Sequence, residues 1–130
     1  MTVSDAGHDP VEPEQLLQVR LHRPDTDEDA VVLEPAGDVD LLTTPLLADA
    51  VTAALASCPA RLVIDLTGVR FLSSTGLSVL VQADRAAAGT GTEVRIVVPE
   101  QGQLRRTFTA TGLHELLSVF PSRTDALTDR

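Results

Sequence analysis

The sequence predicts an α/β domain: a single mixed β-sheet of four to five strands packed with about four α-helices. Three observations carry this expectation. Two short runs, Leu62–Leu66 and Val94–Val98, are almost wholly apolar, the pattern of strands covered on both faces or nearly so. Segments with apolar residues at helical spacing alternate with these runs, and such alternation implies right-handed crossovers between parallel strands. Two earlier strands are joined by a polar turn and would most simply pair antiparallel, which makes the sheet mixed.

Residues 1–14 are rich in Pro, Asp and Glu with little to bury, and read as a flexible N-terminal segment ahead of a domain over residues 15–130. From Leu16 to Leu21 the chain alternates, with Leu17, Val19 and Leu21 set against Gln18 and Arg20, a half-buried strand. Residues 24–30, PDTDEDA, form a polar turn. Ala30–Leu33 is a second strand, and Pro35, lacking an N–H, points to a bulge or strand end. At Thr43-Thr44-Pro45 the period changes, because a Thr N-cap with Pro at the first helical position starts a helix. Leu46, Leu47, Ala50, Val51, Ala54 and Leu55 form its apolar stripe, and Pro59 stops it. A second helix runs from Ser74 to Ala88 and ends at Gly89. A third covers residues 101–111, turns Leu104 and Phe108 inward, and ends at Gly112. Leu116–Phe120 is a last short strand, and residues 122–129 make a terminal helical turn or two.

Composition removes whole classes of function. A chain of 130 residues holds one ordinary domain with a real core. The net charge of −9 argues against nucleic acid, which needs clustered cations. That charge is uneven: residues 1–40 hold eleven acids and two Arg, whereas residues 41–130 hold eight of each. All ten basic side chains are Arg, so a Schiff-base or P-loop lysine is excluded. Trp and Tyr are absent, and three Phe make no stacking platform for bases or sugars. Cys58 is the sole cysteine, which excludes an internal disulfide or Cys-rich zinc site and suggests a small side chain packed at a helix end. The first fifteen residues lack the basic and apolar regions of a signal peptide, and no run approaches the roughly 18 apolar residues of a membrane span. The expectation is a cytoplasmic protein without membrane insertion.

The stretch that carries chemistry is residues 62–81, LVIDLTGVRFLSSTGLSVLV. A buried strand ends at Asp65-Leu66, a connection turns at Gly68, and Phe71-Leu72 return to the core. The hydroxyls of Ser73, Ser74 and Thr75 then precede Gly76 and an apolar helix. One hydroxyl can cap the helix, and another can lie exposed where free amides and the helix dipole favour a phosphate; the two roles are compatible. Gly76 would leave room for a partner. Asp65 would need an acidic pair and a lysine to act as an aspartyl phosphoacceptor, so it reads instead as a strand-end residue bonding the next turn. Asp38 and Asp40 read as loop or cap residues, not a metal pair, and Arg105-Arg106 as a solvated helix face. His8, His22 and His114 are scattered, and the hydrolase pattern Gly-x-Ser-x-Gly is absent, so no enzyme, cofactor or metal is expected.

The string LVIDLTGVRFLSSTGLSVL resembles the signature of STAS domains of the bacterial anti-sigma factor antagonist type: an apolar strand, Asp-Leu, then Phe-aliphatic-Asp-Ser-Ser/Thr-Gly-Leu. LEPAGDVDLLTTPLL resembles the family's strand ending in Gly-Asp/Glu-aliphatic-Asp, and EVRIVVPEQGQLRRTFTATGLHELLSVFPS its closing strand, helix and Gly-Leu turn, so the likeness spans residues 16–127. The resemblance implies the STAS fold and places the phosphoacceptor at Ser74, with Thr75 and Ser73 as substitutes. It implies that Asp40, Ser73, Ser74, Thr75, Gly76 and Leu77 serve partner binding. It further implies a GHKL-type anti-sigma factor serine kinase that uses ATP and magnesium, a serine phosphatase that resets the switch, and release of a sigma factor when the unphosphorylated chain binds the kinase. One departure stands out: the family's Asp before the phosphoserine is Ser73 here. A scaffold without a switch, in a stressosome-like assembly or a lipid transport system, is the alternative.

Overall fold

The structure is a computed structural model and describes residues 12–128. In chain order the elements are α1 (Pro13–Leu16), β1 (Leu17–His22), β2 (Ala30–Val39), α2 (Thr44–Ala56), β3 (Arg61–Asp65), β4 (Gly68–Leu72), α3 (Ser74–Ala87), β5 (Glu93–Val97), α4 (Gln103–Thr111), α5 (Leu113–Leu116), β6 (Ser118–Phe120) and α6 (Arg123–Thr128). The strands form one sheet in the order β1-β2-β3-β5-β6, with β4 paired to β2 off this path. β1 is antiparallel to β2 and every other pair is parallel. The mixed sheet is therefore the expected one. Its five-strand path matches the expected count, and β4 is an addition built from the connection after Asp65.

β2 runs through Pro35 without ending. Pairing with β3 stops at Leu33 and pairing with β4 starts at Ala36, so Pro35 falls in a gap where that side asks for no ladder N–H. The expected irregularity lies two residues later, as a register shift between Gly37 and Asp38. Gly37 has φ +122°, and a Cβ there would sit 2.1 Å from the Leu16 carbonyl oxygen, so glycine is required.

Period-two alternation divides the strand residues between two cores. The larger core joins Leu33, Ile64 and Ile96 to Leu47, Leu80 and Phe108 of α2, α3 and α4. The smaller, on the opposite face, joins Val32, Val63 and Val97 to Ala126 of α6. Successive right-handed crossovers running one way across the sheet put α2, α3 and α4 on the same face.

Several local expectations are corrected. Phe71 is 53% exposed, because on the edge strand β4 it is Val69 and Leu72 that turn inward. The last strand begins at Ser118, since residues 113–116 form the single turn α5, with Leu116 exposed. His114 lies in that turn and its Nδ1 is 3.1 Å from the Phe108 carbonyl oxygen. Cys58 is exposed, at φ +50°, in the left-handed position that ends α2 ahead of Pro59, so it does not pack. Arg105 is half-buried and donates to the carbonyl oxygens of Pro99 (3.0 Å) and Val98 (2.6 Å), so it ties α4 to the end of β5. The expected flexible segment, residues 1–14, falls outside the described residues up to residue 11.

Candidate functional site

The N-termini of α2 and α3 meet beside the C-terminal ends of β2 and β4, where Val39 pairs with Leu72. The chain leaves β2 through a turn closed by Asp40, whose Oδ1 accepts from the amides of Leu42 (3.0 Å) and Thr43 (3.1 Å). Asp40 thus serves its own turn, an Asx-type cap. Thr43 precedes α2 but does not cap it with its side chain. Its buried hydroxyl donates to the Asp38 carbonyl oxygen (2.7 Å) and accepts from the Asp40 amide (2.9 Å).

Ser73 is the N-cap of α3, extended at ψ 171°, and its Oγ accepts from the Gly76 amide at 3.3 Å. The Ser73 amide donates to the Val39 carbonyl oxygen (2.8 Å), fixing the cap to β2. A chain of hydroxyls extends from it: Ser73 Oγ to Thr75 Oγ1 at 2.8 Å, Thr75 Oγ1 to Thr44 Oγ1 at 3.0 Å, and Thr44 Oγ1 to the Asp40 carbonyl oxygen at 2.6 Å. Thr44 was not legible as a site residue, because nothing in sequence shows that the first turns of two helices touch.

Between the two engaged hydroxyls lies Ser74, the first residue of α3, exposed and without a side-chain hydrogen bond among the described residues. The first turn of α3 carries no acidic residue. Ser74 therefore presents an open hydroxyl at the positive end of a 14-residue helix. Gly76 differs from expectation. It is buried, and a Cβ there would lie 2.7 Å from both Leu72 Cδ1 and Val39 Cγ1, so its missing side chain lets α3 approach the sheet and does not open the surface. Leu77 is half-buried against the larger core.

An apolar surface accompanies the hydroxyls. Leu41 is 80% exposed and Leu42 51%, in the turn after β2, while strand register places exposed Phe71 opposite Asp38. Beside it Arg70 reaches Asp38 at 3.3 Å. The two leucines were detectable, since they fall outside the α2 stripe, whereas the exposure of Phe71 depends on the unforeseen β4.

Asp65 bonds the next turn as expected, accepting from the Thr67 amide at 3.0 Å, and has a second role on the α6 face. Arg123 of α6 donates to Asp65 Oδ2 (3.0 Å from Nε) and lies 2.5 Å from Glu34 Oε1, while His22 Nε2 meets Glu34 Oε2. Burial pushes the Glu34 carboxyl up, but hydrogen bonds from His22 and Arg123, with the attraction of both, outweigh it and hold it below the usual carboxylate range. Among the described residues no cluster of three or more His, Cys, Asp or Glu is placed to hold a metal ion, and no helix is long and apolar enough to cross a membrane.

The family model of the STAS domain matches residues 23–126. The chain belongs to the STAS domain family. It is 36% identical over 98 residues to the anti-sigma-F factor antagonist RsfB of Mycobacterium tuberculosis, covering 75% of this chain and 78% of that one. Among solved structures it resembles an anti-sigma factor antagonist from Mycobacterium paratuberculosis, with TM-score 0.72, 33% identity, and coverage of 86% of this chain and 92% of that one. The phosphorylated form of the Bacillus cell fate determinant SpoIIAA shares the fold, with TM-score 0.62, 14% identity, and coverage of 85% and 96% respectively.

Proposed function

We propose that this chain is an anti-sigma factor antagonist, a regulatory binding protein and not an enzyme, that binds a GHKL-type anti-sigma factor kinase and thereby releases a sigma factor. Phosphorylation of Ser74 by that kinase, with ATP and magnesium, switches it off, and a serine phosphatase restores it. The likeness to RsfB supports the role. The observation that carries the switch is the contrast among three adjacent hydroxyls: Ser73 and Thr75 are hydrogen-bonded, whereas Ser74 is exposed and free of side-chain bonds among the described residues. Leu41, Leu42 and Phe71 supply apolar area for docking beside it.

A phosphate adds about −1.5 to −2 charges at neutral pH. At Ser74 the amides of the first turn of α3 can receive it without unfolding the domain. On a docking surface the same charge must be desolvated, which opposes binding. Ser73 in place of the family's Asp spares that phosphate an adjacent carboxylate. The test is incubation with candidate cognate kinases and ATP-magnesium, followed by mapping of any phosphate. The reading expects phosphate on Ser74, retained binding by Ser74→Ala and lost binding by Ser74→Asp. Tight binding to a partner with no phosphate incorporated would favour the scaffold.

A further inference from the structure

The outer edge of β1 is the second feature the fold leaves open. Among the described residues β1 pairs only with β2, so the strand Leu17–His22 has one side without a ladder partner. Two hollows of about 520 and 380 Å3 follow one another along the cleft between β1 and α2. Leu17, Val19, Leu46 and Ala50 line the first, and Leu21 and Ala53 the second. Leu21 is 46% exposed there. Exposed edges of this kind are templates for another strand.

The residue order says which strand. Leu17-Gln18-Val19-Arg20-Leu21 is symmetric about Val19, with apolar residues at both ends and the centre and polar residues between. Laid antiparallel on a second copy about a two-fold axis at Val19, Leu17 falls opposite Leu21, Val19 opposite itself, and Gln18 opposite Arg20. The apolar ladder then lies on the α2 face, where the hollows are. On the other face the Gln18 amide oxygen can accept from the Arg20 guanidinium of the second copy. Both side chains are exposed and make no hydrogen bond or ion pair among the described residues, so each gains a partner. The Arg20 side chains are offset from one another, which avoids like-charge contact.

We propose that β1 is a homodimer edge: two copies join β1 to β1 in antiparallel register about Val19, making one continuous sheet across an isologous interface. This stands independently of the Ser74 switch, since it uses a different surface.

The experiment is sedimentation of the full chain from micromolar to millimolar concentration, with circular dichroism confirming that each variant is folded. Wild type is expected to reach dimer mass as concentration rises. Gln18→Arg sets Arg against Arg in both symmetric pairs and is expected to weaken association about tenfold. Adding Arg20→Glu, in the double variant Gln18→Arg/Arg20→Glu, restores opposite charges and is expected to recover the dimer. Because both positions are exposed, neither change threatens the fold. A chain at monomer mass throughout, or a dimer indifferent to both variants, overturns the proposal. So does a monomer in which the outward-facing β1 amides, those that β2 does not engage, resist hydrogen exchange at every concentration, because the edge would then be covered by another part of the same chain.

Discussion

Replacing Gly76 with alanine tests whether α3 is seated on the sheet as described. The new methyl would lie 2.7 Å from Leu72 Cδ1 and 2.7 Å from Val39 Cγ1, nearly 1 Å inside ordinary carbon–carbon contact, about 3.5–4.0 Å. The neighbours differ in their ability to yield. Leu72 is 8% exposed and offers the end of a flexible side chain, whereas Val39 is fully buried, stiff at χ1 and held in a strand. Overpacking of this kind costs about 1–3 kcal/mol, against which a Gly-to-Ala change within a helix returns up to about 1 kcal/mol. The balance is a loss of about 1–2 kcal/mol, or about 4–8 °C in Tm at this chain length. Urea unfolding of wild type, Gly76→Ala, Val39→Ala and the double variant forms a cycle. Val39→Ala vacates the clashing methyl, so the double variant is expected to be more stable than the sum of the single losses by at least about 0.5 kcal/mol. A Gly76→Ala protein as stable as wild type, or losses that simply add, would refute the packing argument.

Thr75→Val removes the central hydroxyl between Ser73 and Thr44 at constant volume and is expected to cost about 1–2 kcal/mol in urea unfolding, with Ser74 still modified by the cognate kinase. Arg123→Ala leaves Asp65, 4% exposed, without its ion pair; because Arg123 itself is 35% exposed, the expected loss is about 2 kcal/mol, well below that of a fully buried pair. The same variant changes acid unfolding. A lowered carboxyl pKa gives Glu34 a stabilising share that is complete above its unfolded value, near 4.5, and is lost as pH falls through the lower folded value; removing Arg123 narrows that gap, so the acid midpoint is expected to rise in a pH titration followed by circular dichroism. Phe71→Ser is expected to change Tm little, since the ring is 53% exposed, but to weaken binding to the anti-sigma kinase about tenfold in calorimetry.

Local sequence signals suffice where one residue decides the backbone. Gly89 and Gly112 adopt positive φ, at +79° and +77°, just beyond the ends of α3 and α4, as expected of residues that terminate helices. The apolar runs became the central strands because covered strands need no alternation. What escaped depended on partners distant in sequence. β4 has only five residues and reads as a loop until the second half of β2 is there to pair with it. Pro35 argued for a strand end, and its tolerance follows from the handover between β3 and β4, which no local pattern encodes. In the site, the motif drew attention to the three hydroxyls, but which of them is free rests on Thr44, 31 residues before Thr75. Gly76 faces the sheet and not the open room expected of it, since helical periodicity alone does not say which way a first-turn Cβ points.

The reach of Arg123 bears on the order in which the chain can finish folding. Asp65 precedes it by 58 residues, and Glu34 lies further back still, in another strand. Both carboxylates belong to strands made early in synthesis, and the guanidinium that joins them is made only after all six described strands have been synthesised. Until then β2 and β3 must keep those charges solvated, which disfavours closing the face that α6 will cover. The sheet can thus acquire its α2–α3 side while its other side stays wet, and a single late arginine completes the pairing.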